Sequence, residues 1–410
     1  MKSLQRESPY PMVPVTEAQQ IIAAHSAPLP TEAISVLEAA GRVLAADVHS
    51  SEAMPDVAKS VVDGYALQAS DGRAERRVLA EVVAGGSDTA TVAAGTAVRI
   101  MTGAPLPDGA DAVVMVEETE EQGGMLRVQR DIRSGQNIRT VGQDVGLHEL
   151  IVPQGAVLGA AEVGLLAMVG ITRVTVYRRP RVAIVSTGDE VIEPDAPRTR
   201  GEVRDSNRYA LLAAIREAGG EPISLGIARD DEDVQRTALL RGFEQADVVL
   251  SSGGVSMGTR DLIKPLLAAL GTIHFGRVLF KPGKPTTFAT VDGKLAFGLP
   301  GFPASSLVSF EVFVRPALRR LQGDARPDRP RVQVALSEPI RPSPDRPEYQ
   351  RIIVVWQDGQ LVARSTGPQI SSRLLSLRSA NGLLIVPPGE AVFQPGATLD
   401  ALLTGPLVTI

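Results

Sequence analysis

The chain contains no cysteine. That excludes disulfides, thiolate zinc sites and a cysteine nucleophile. Its four histidines, His25, His49, His148 and His274, lie far apart with no partner at metal-ligand spacing, so each reads as structural or surface. No apolar run reaches the ~18 residues of a membrane span, so no contact with a membrane is expected. The opening MKSLQRESPYPMVPV has no apolar core of a secretory leader, which makes the cytoplasm the expected compartment. Basic blocks are missing too. The net charge of −5 argues against a nucleic-acid partner.

What is present is a globular composition, 44% hydrophobic and 22% charged. The 410 residues suffice for more than one domain. Residues 1–45 open with a helix whose Thr16-Glu17-Ala18-Gln19 reads as a capping box, with Ala18, Ile21 and Ile22 on its apolar face. A second short helix is expected over Leu37 to Leu44. Residues 46–145 alternate short β-type runs with Gly, Pro and Asp turns, the pattern of an inserted β-module. Residues 146–178 return to helix (Ala160 to Met168) and strand (Val174 to Tyr177). Because 46–145 reads as an insertion, 1–45 and 146–178 are expected to form one discontinuous domain. Residues 326–410 read as a compact C-terminal β-domain, with Trp356 in its core.

Residues 179–325 alternate strand and helix, which predicts a doubly wound, mostly parallel sheet with helices on both faces. Ligands in such sheets bind at the carboxyl ends of the strands. The stretch Asp247 to Asp261, DVVLSSGGVSMGTRD, is a strand running into a Ser/Gly loop and then a helix. It lacks both common nucleotide-loop signatures, GxxxxGKS/T and GxGxxG. Alone it fits either an oxyanion site or a plain strand-to-helix turn.

Neighbouring strand ends add chemistry to it. Asp189, Glu190, Asp230 and Asp261 supply carboxylates; Arg277, Lys281 and Lys284 supply cations. Acids beside bases and a glycine loop suit Mg²⁺ with phosphate, the acids holding the hard cation and the bases the oxyanions. Any one of these aspartates could equally be a helix cap. In the inserted module SVVDGYA and RIMTGAP read, one at a time, as turn chemistry. Arg139 and Asp144 read as a surface ion pair.

Taken together, SVVDGYA, RIMTGAPLPDGADAVVM, NIRTVGQDV, STGDEV, GEVRDSN, ARDD, DVVLSSGGVSMGTRD, KPGKPTTF and GLPGFPAS resemble, in order, the motifs of the molybdopterin molybdenumtransferase family, bacterial MoeA and the gephyrin E domain. The resemblance covers essentially the whole chain. It implies a MogA-like doubly wound domain and a reaction of adenylated molybdopterin with molybdate that yields molybdenum cofactor and AMP, with Mg²⁺. It also implies a homodimer whose site is shared between the doubly wound domain of one subunit and the β-domains of the other. A molybdopterin adenylyltransferase and molybdoenzyme maturation factors are the further partners expected. Two rival readings are that adenylyltransferase activity itself and a non-catalytic molybdopterin-binding scaffold.

By motif position the resemblance implies catalytic roles for Asp63, Thr102, Asp144, Glu190, Asp230 and Lys281. It implies substrate binding by Arg139, Asp189, Ser252, Gly253, Gly254, Arg277, Lys284, Arg351 and Ser371. Glu190, Asp230 and Asp261 are the implied metal ligands. The chain departs from the family pattern at Val62, Gln143, Arg277 and Phe302, which stand where Met, Glu, Lys and Asn are usual.

Overall fold

The structure, a computed structural model, describes residues 10–85, 90–255 and 261–409. Residues 256–260 of the Ser/Gly stretch therefore lie outside the described residues. No described helix is long and apolar enough to cross a membrane.

The strand and helix alternation over 179–325 builds a six-stranded sheet. Its order is Glu221–Ala228, Arg181–Thr187, Val248–Ser252, Lys294–Leu299, Thr287–Val291 and Thr272–Phe275. The first four strands run parallel, and the last two add antiparallel pairings. Period-two alternation explains why both faces are covered. Val182, Ile184, Val248 and Leu250 enter one core with Leu211 and Ile215 of helix Asn207–Glu217. Ala183, Val185 and Val249 enter the other with Leu239 of helix Glu232–Gln245 and Leu266 of helix Ile263–Leu270.

From Arg181–Thr187 the chain crosses to one neighbour, Glu221–Ala228, then returns past it to the other, Val248–Ser252. The loops after Thr187 and Ser252 thus part in opposite directions, which opens a crevice between them.

The first helix runs Val15–His25 with Pro14 as its N-cap, two residues earlier than the capping box requires, and has no side-chain cap. It does not pack with 146–178. Val15, Ala18 and Ile22 join the core of the doubly wound sheet, and Val13 pairs with Val278. Its last residue, His25, stacks on His274 with ring centroids 4.0 Å apart, a pair invisible in the spacing of the histidines.

The expected helix over Leu37 to Leu44 is a single 3-10 turn, Val36–Glu38, followed by bridges from Val43 and Leu44 to Val157 and Val176. Thr31–Ser35 pairs antiparallel with Arg173–Tyr177, and Val48–His49 with Leu150–Val152. Val36, Leu44, Leu158, Leu166 and Val176 share one core, so chain from both sides of the insertion closes a common unit. Helix Ala160–Met168 stands where its pattern places it, with Glu162 accepting the Gly159 amide at 2.8 Å.

The inserted module is a six-stranded mixed sheet. The C-terminal domain closes on itself. Strand Glu348–Gln357 pairs with both Gln360–Ser365 and Gly382–Val386, and the circuit returns through Thr398–Leu403 and Arg331–Leu336. That closure removes the open edges a sheet of this size would expose. Trp356 sits on the outside near a strand end, half exposed rather than in the core.

Candidate active site

Three loops leave the carboxyl ends of adjacent parallel strands, and register sets them side by side. Ser186 pairs with Ser252, and Ser252 with Leu299. Gly253 has φ of +94°, and a Cβ there would lie 2.8 Å from Thr187 Oγ1 and 3.0 Å from the Thr187 carbonyl oxygen. Only glycine allows the two loops to approach so closely. The Gly253 amide donates to the Leu299 carbonyl at 3.1 Å. Asn207 ties the loops from outside, its amide donating to Ser252 Oγ at 2.7 Å and to the Gly301 carbonyl at 2.8 Å.

These loops floor a cleft of about 830 Å³. Glu190, Asp230 and Asp261 line it, as do Ser252, Gly253, Gly254, Lys281, Lys284 and Ser371. The helix-cap alternative holds for Asp231, which accepts the Val234 amide at 3.0 Å and contributes about 1 kcal/mol to its helix. Asp230 lines the cleft while its carboxylate accepts from Gln235 Nε2 at 3.3 Å. Asp189 does not line it; its carboxylate accepts the Asp230 amide at 3.1 Å and so links two strand-end loops.

The wall opposite the glycine loops comes from the seam with the C-terminal barrel. The Lys281 amide donates to the Pro347 carbonyl at 3.1 Å and the Tyr349 amide to the Lys281 carbonyl at 2.7 Å. Lys281 Nζ lies 3.3 Å from the buried carboxylate of Glu348. The Ala304 amide donates to the Ser371 carbonyl at 3.0 Å, which fixes the edge of the Ser371 loop.

Arg277 and Arg351 are not among the lining residues. Arg277 lies electrostatically beside Lys264 on helix Ile263–Leu270. Burial, with a smaller contribution from Arg277 and against the pull of Asp261, brings the Lys264 ammonium down to about 8. Arg351 is fully buried. It donates to Ser376 Oγ at 3.0 Å and to the Ile370 carbonyl at 3.2 Å, so it positions the segment before Ser371. Burial lowers its pKa, partly offset by Glu348. Among the polar residues of this site that the sequence does not single out are Asn207, Arg346 and Glu348. Asn207 and Arg346 line the cleft, and Glu348 neutralises Lys281. The signal for Asn207 was its place in GEVRDSN; none pointed to the other two.

The inserted module's candidates gather elsewhere. Asp63 Oδ1 accepts from the Thr102 amide at 2.6 Å and from Thr102 Oγ1 at 2.8 Å. These two bonds, the amide first, hold the Asp63 carboxyl below its usual range. Arg139 donates to Asp144 at 2.9 Å. Strand Ile138–Arg139 pairs with Lys59–Ser60, and the Gly103 amide donates to the Ser60 carbonyl at 2.8 Å. Two motifs that read as separate turns and a third that reads as a surface ion pair are thus laced around Ser60. None of these four residues lines the cleft of its own chain.

Among the described residues, no group of three or more His, Asp or Glu side chains converges closely enough to hold a metal ion. Glu190, Asp230 and Asp261 surround the cleft without forming a ready-made three-ligand centre. The donor set still fits Mg²⁺, which is commonly held by one or two carboxylates with phosphate oxygens and water completing its shell.

The chain matches three family profiles in succession: the MoeA N-terminal region (domain I and II) over residues 13–170, a probable molybdopterin binding domain over 183–320, and the MoeA C-terminal region (domain IV) over 333–404. It is 37% identical to gephyrin of Dictyostelium discoideum, over 98% of this chain and 64% of that protein, so it spans under two thirds of that relative. It is 36% identical to the molybdopterin molybdenumtransferase of Nostoc sp., over 89% of this chain and 87% of the relative. A crystal structure of a molybdopterin biosynthesis MoeA protein from Pyrococcus horikoshii superposes with a TM-score of 0.83 at 30% identity, covering 97% of this chain and 100% of that one.

Proposed function

The chain belongs to the MoeA family of molybdopterin molybdenumtransferases, and from that premise we propose that its cleft binds adenylated molybdopterin and exchanges the adenylate for molybdate in the cytoplasm. The phosphoanhydride breaks as an oxygen of water or molybdate adds at phosphorus, so AMP leaves with its own phosphate, the pterin keeps its terminal phosphate, and the molybdate is inserted into the pterin. The observation that carries this reading is the sharing of one cleft by a glycine-loop floor, the carboxylates of Glu190, Asp230 and Asp261, and Lys281 and Lys284.

Each group has a role set by its chemistry. The Gly253 and Gly254 backbone, open for lack of Cβ atoms, and Ser252 accommodate the pterin's phosphate. Lys281 and Lys284 attract molybdate and offset charge that develops as the phosphoanhydride breaks. Lys281 is held for this by Glu348, and the Ser371 edge by Arg351. Asp189 and Arg277 act from behind the wall, Asp189 through the Asp230 loop and Arg277 through the field around Lys264 and Asp261. Mg²⁺, when bound, supplies Lewis-acid polarisation of phosphate oxygens, and Glu190, Asp230 and Asp261 are the residues to hold it.

Asp63, Thr102, Arg139 and Asp144 complete the site in a homodimer, presented by the partner subunit's inserted module. The supporting observation is that they form a surface set, Asp63 bonded to Thr102 and Arg139 to Asp144, that does not line the cleft of its own chain. Molybdopterin adenylyltransferase is the partner that hands over the substrate, and a maturation factor receives the product.

The test is molybdate-dependent AMP release from preformed adenylated molybdopterin. Glu190→Gln and Asp261→Asn should each lower it by ~10²- to 10³-fold, the usual scale for loss of one preorganised charge, with the far-UV spectrum unchanged. Near wild-type turnover in both would sink the assignment. AMP-forming activity that requires ATP and no preformed adenylate would favour the adenylyltransferase reading, and ligand binding without turnover the scaffold.

A further inference from the structure

Large apolar side chains exposed on the described surface are scattered, as on most proteins. Two of them, Phe302 and Val203, line the cleft, and Phe302 is the aromatic one. Its ring is 61% exposed. It shares the cleft with the charged side chains of Glu190, Asp230, Asp261, Lys281 and Lys284, among others.

The backbone beneath that ring is held firmly. Leu299, at the end of its strand, accepts the Gly253 amide at 3.1 Å. Asn207 grips the Gly301 carbonyl at 2.8 Å. Helix Pro303–Ser309 starts at once, and the Ser306 amide donates to the Phe302 carbonyl at 2.9 Å. Gly301 lies against Gly253, since a Cβ on Gly301 would come within 3.6 Å of the Gly253 Cα. An exposed ring on a pinned loop, next to a glycine loop suited to phosphate, matches a ligand that joins a flat ring to a phosphate.

We propose that Phe302 is a specificity-determining stacking platform for a heteroaromatic ring of the phosphorylated ligand. The inference rests on the molybdopterin reading above, and that ligand carries two such rings, a pterin and an adenine. A ring stacked on an aromatic side chain gains ~5- to ~150-fold in affinity, and loss of the platform here should weaken binding ~10-fold. Because the side chain is mostly in water, its truncation leaves little cavity behind.

The experiment measures binding of AMP and, separately, of anaerobic non-adenylated molybdopterin to the wild type and to Phe302→Ala, Phe302→Leu and Phe302→Tyr. The expected result is ~10-fold weaker binding of one of the two ligands by the Ala and Leu variants, with Tyr within ~2-fold of wild type. The ligand that weakens identifies the ring, adenine or pterin. Unchanged affinity for both ligands in Phe302→Ala would overturn the inference while leaving the reaction intact. So would Leu restoring affinity as well as Tyr, since volume rather than a π face would then be responsible. Failure of the wild type to bind either ligand would overturn the molybdopterin reading itself.

Discussion

The doubly wound domain and the inserted β-module both carry candidate catalytic residues, and they hold them in opposite ways. In the first, backbone does the organising: three parallel strands end in register, glycines let the loops touch, and acids and lysines from distant segments face one cleft. In the second, side chains pair with each other, Asp63 with Thr102 and Arg139 with Asp144, away from the cleft of their own chain. The first is a receptacle that needs a ligand. The second is a set of charges already placed, which become useful when brought against something else. The contrast is what makes a shared site between two subunits the economical reading.

The sharpest way to break the receptacle is at Gly253. Alanine there would hold φ of +94° and drive its Cβ to 2.8 Å from Thr187 Oγ1. Strain of this kind costs about 1–3 kcal/mol, and moving the loop by an ångström costs ~10²-fold in turnover. Chemical denaturation together with AMP release checks both, and an active, fully stable Gly253→Ala would show that the loops need not approach. The corresponding change in the inserted module is far gentler. Thr102→Val removes the hydroxyl bond to Asp63 and leaves the amide bond, so the Asp63 pKa should rise part of the way back toward its ordinary value. Carboxyl chemical shifts followed through a pH titration measure it. The sign of the stability effect follows. A carboxyl depressed by folding contributes stability that is full above its unfolded value, near 3.8, and is lost as pH falls through its folded value. The acid limb of the wild-type stability curve should therefore shift slightly upward in pH in Thr102→Val.

The same contrast explains how much was legible in the sequence. The βα alternation, its glycine loop and its strand-end acids were readable because hydrophobic period and turn chemistry are local. Local signals also gave helix Ala160–Met168. What was hidden depends on contacts far apart in the chain. The apolar face of helix Val15–His25 says that it packs, not that it packs against the segments Phe310–Val314 and Arg315–Leu321 of a distant domain. Leu37 to Leu44 looked helical, yet bridges to Val157 and Val176 claim it. Barrel closure rests on one long strand, Glu348–Gln357, pairing on both sides, which no local pattern encodes.

Site residues divide in the same manner. Glu190, Asp230, Asp261, Lys281 and Lys284 line the cleft, where the strand ends placed them. Arg277 and Arg351 carry the right charge at the right motif position, yet one lies by Lys264 and the other is sealed behind the Ser371 loop. Motif position gives residue type but not which side of a wall the side chain takes. Asn207, which binds two loops together, shows the reverse case: it bears no charge, so the search for acids and bases passed over it.

Mixed subunits test the central claim most directly. Asp63→Ala disables the inserted module and Glu190→Gln the receptacle, and each variant alone should be nearly inactive. If the two regions meet across a dimer, random 1:1 mixing by refolding or co-expression puts one intact site in each mixed dimer and restores about a quarter of wild-type AMP release. Mixed dimers that form and stay as inactive as either parent would contradict it.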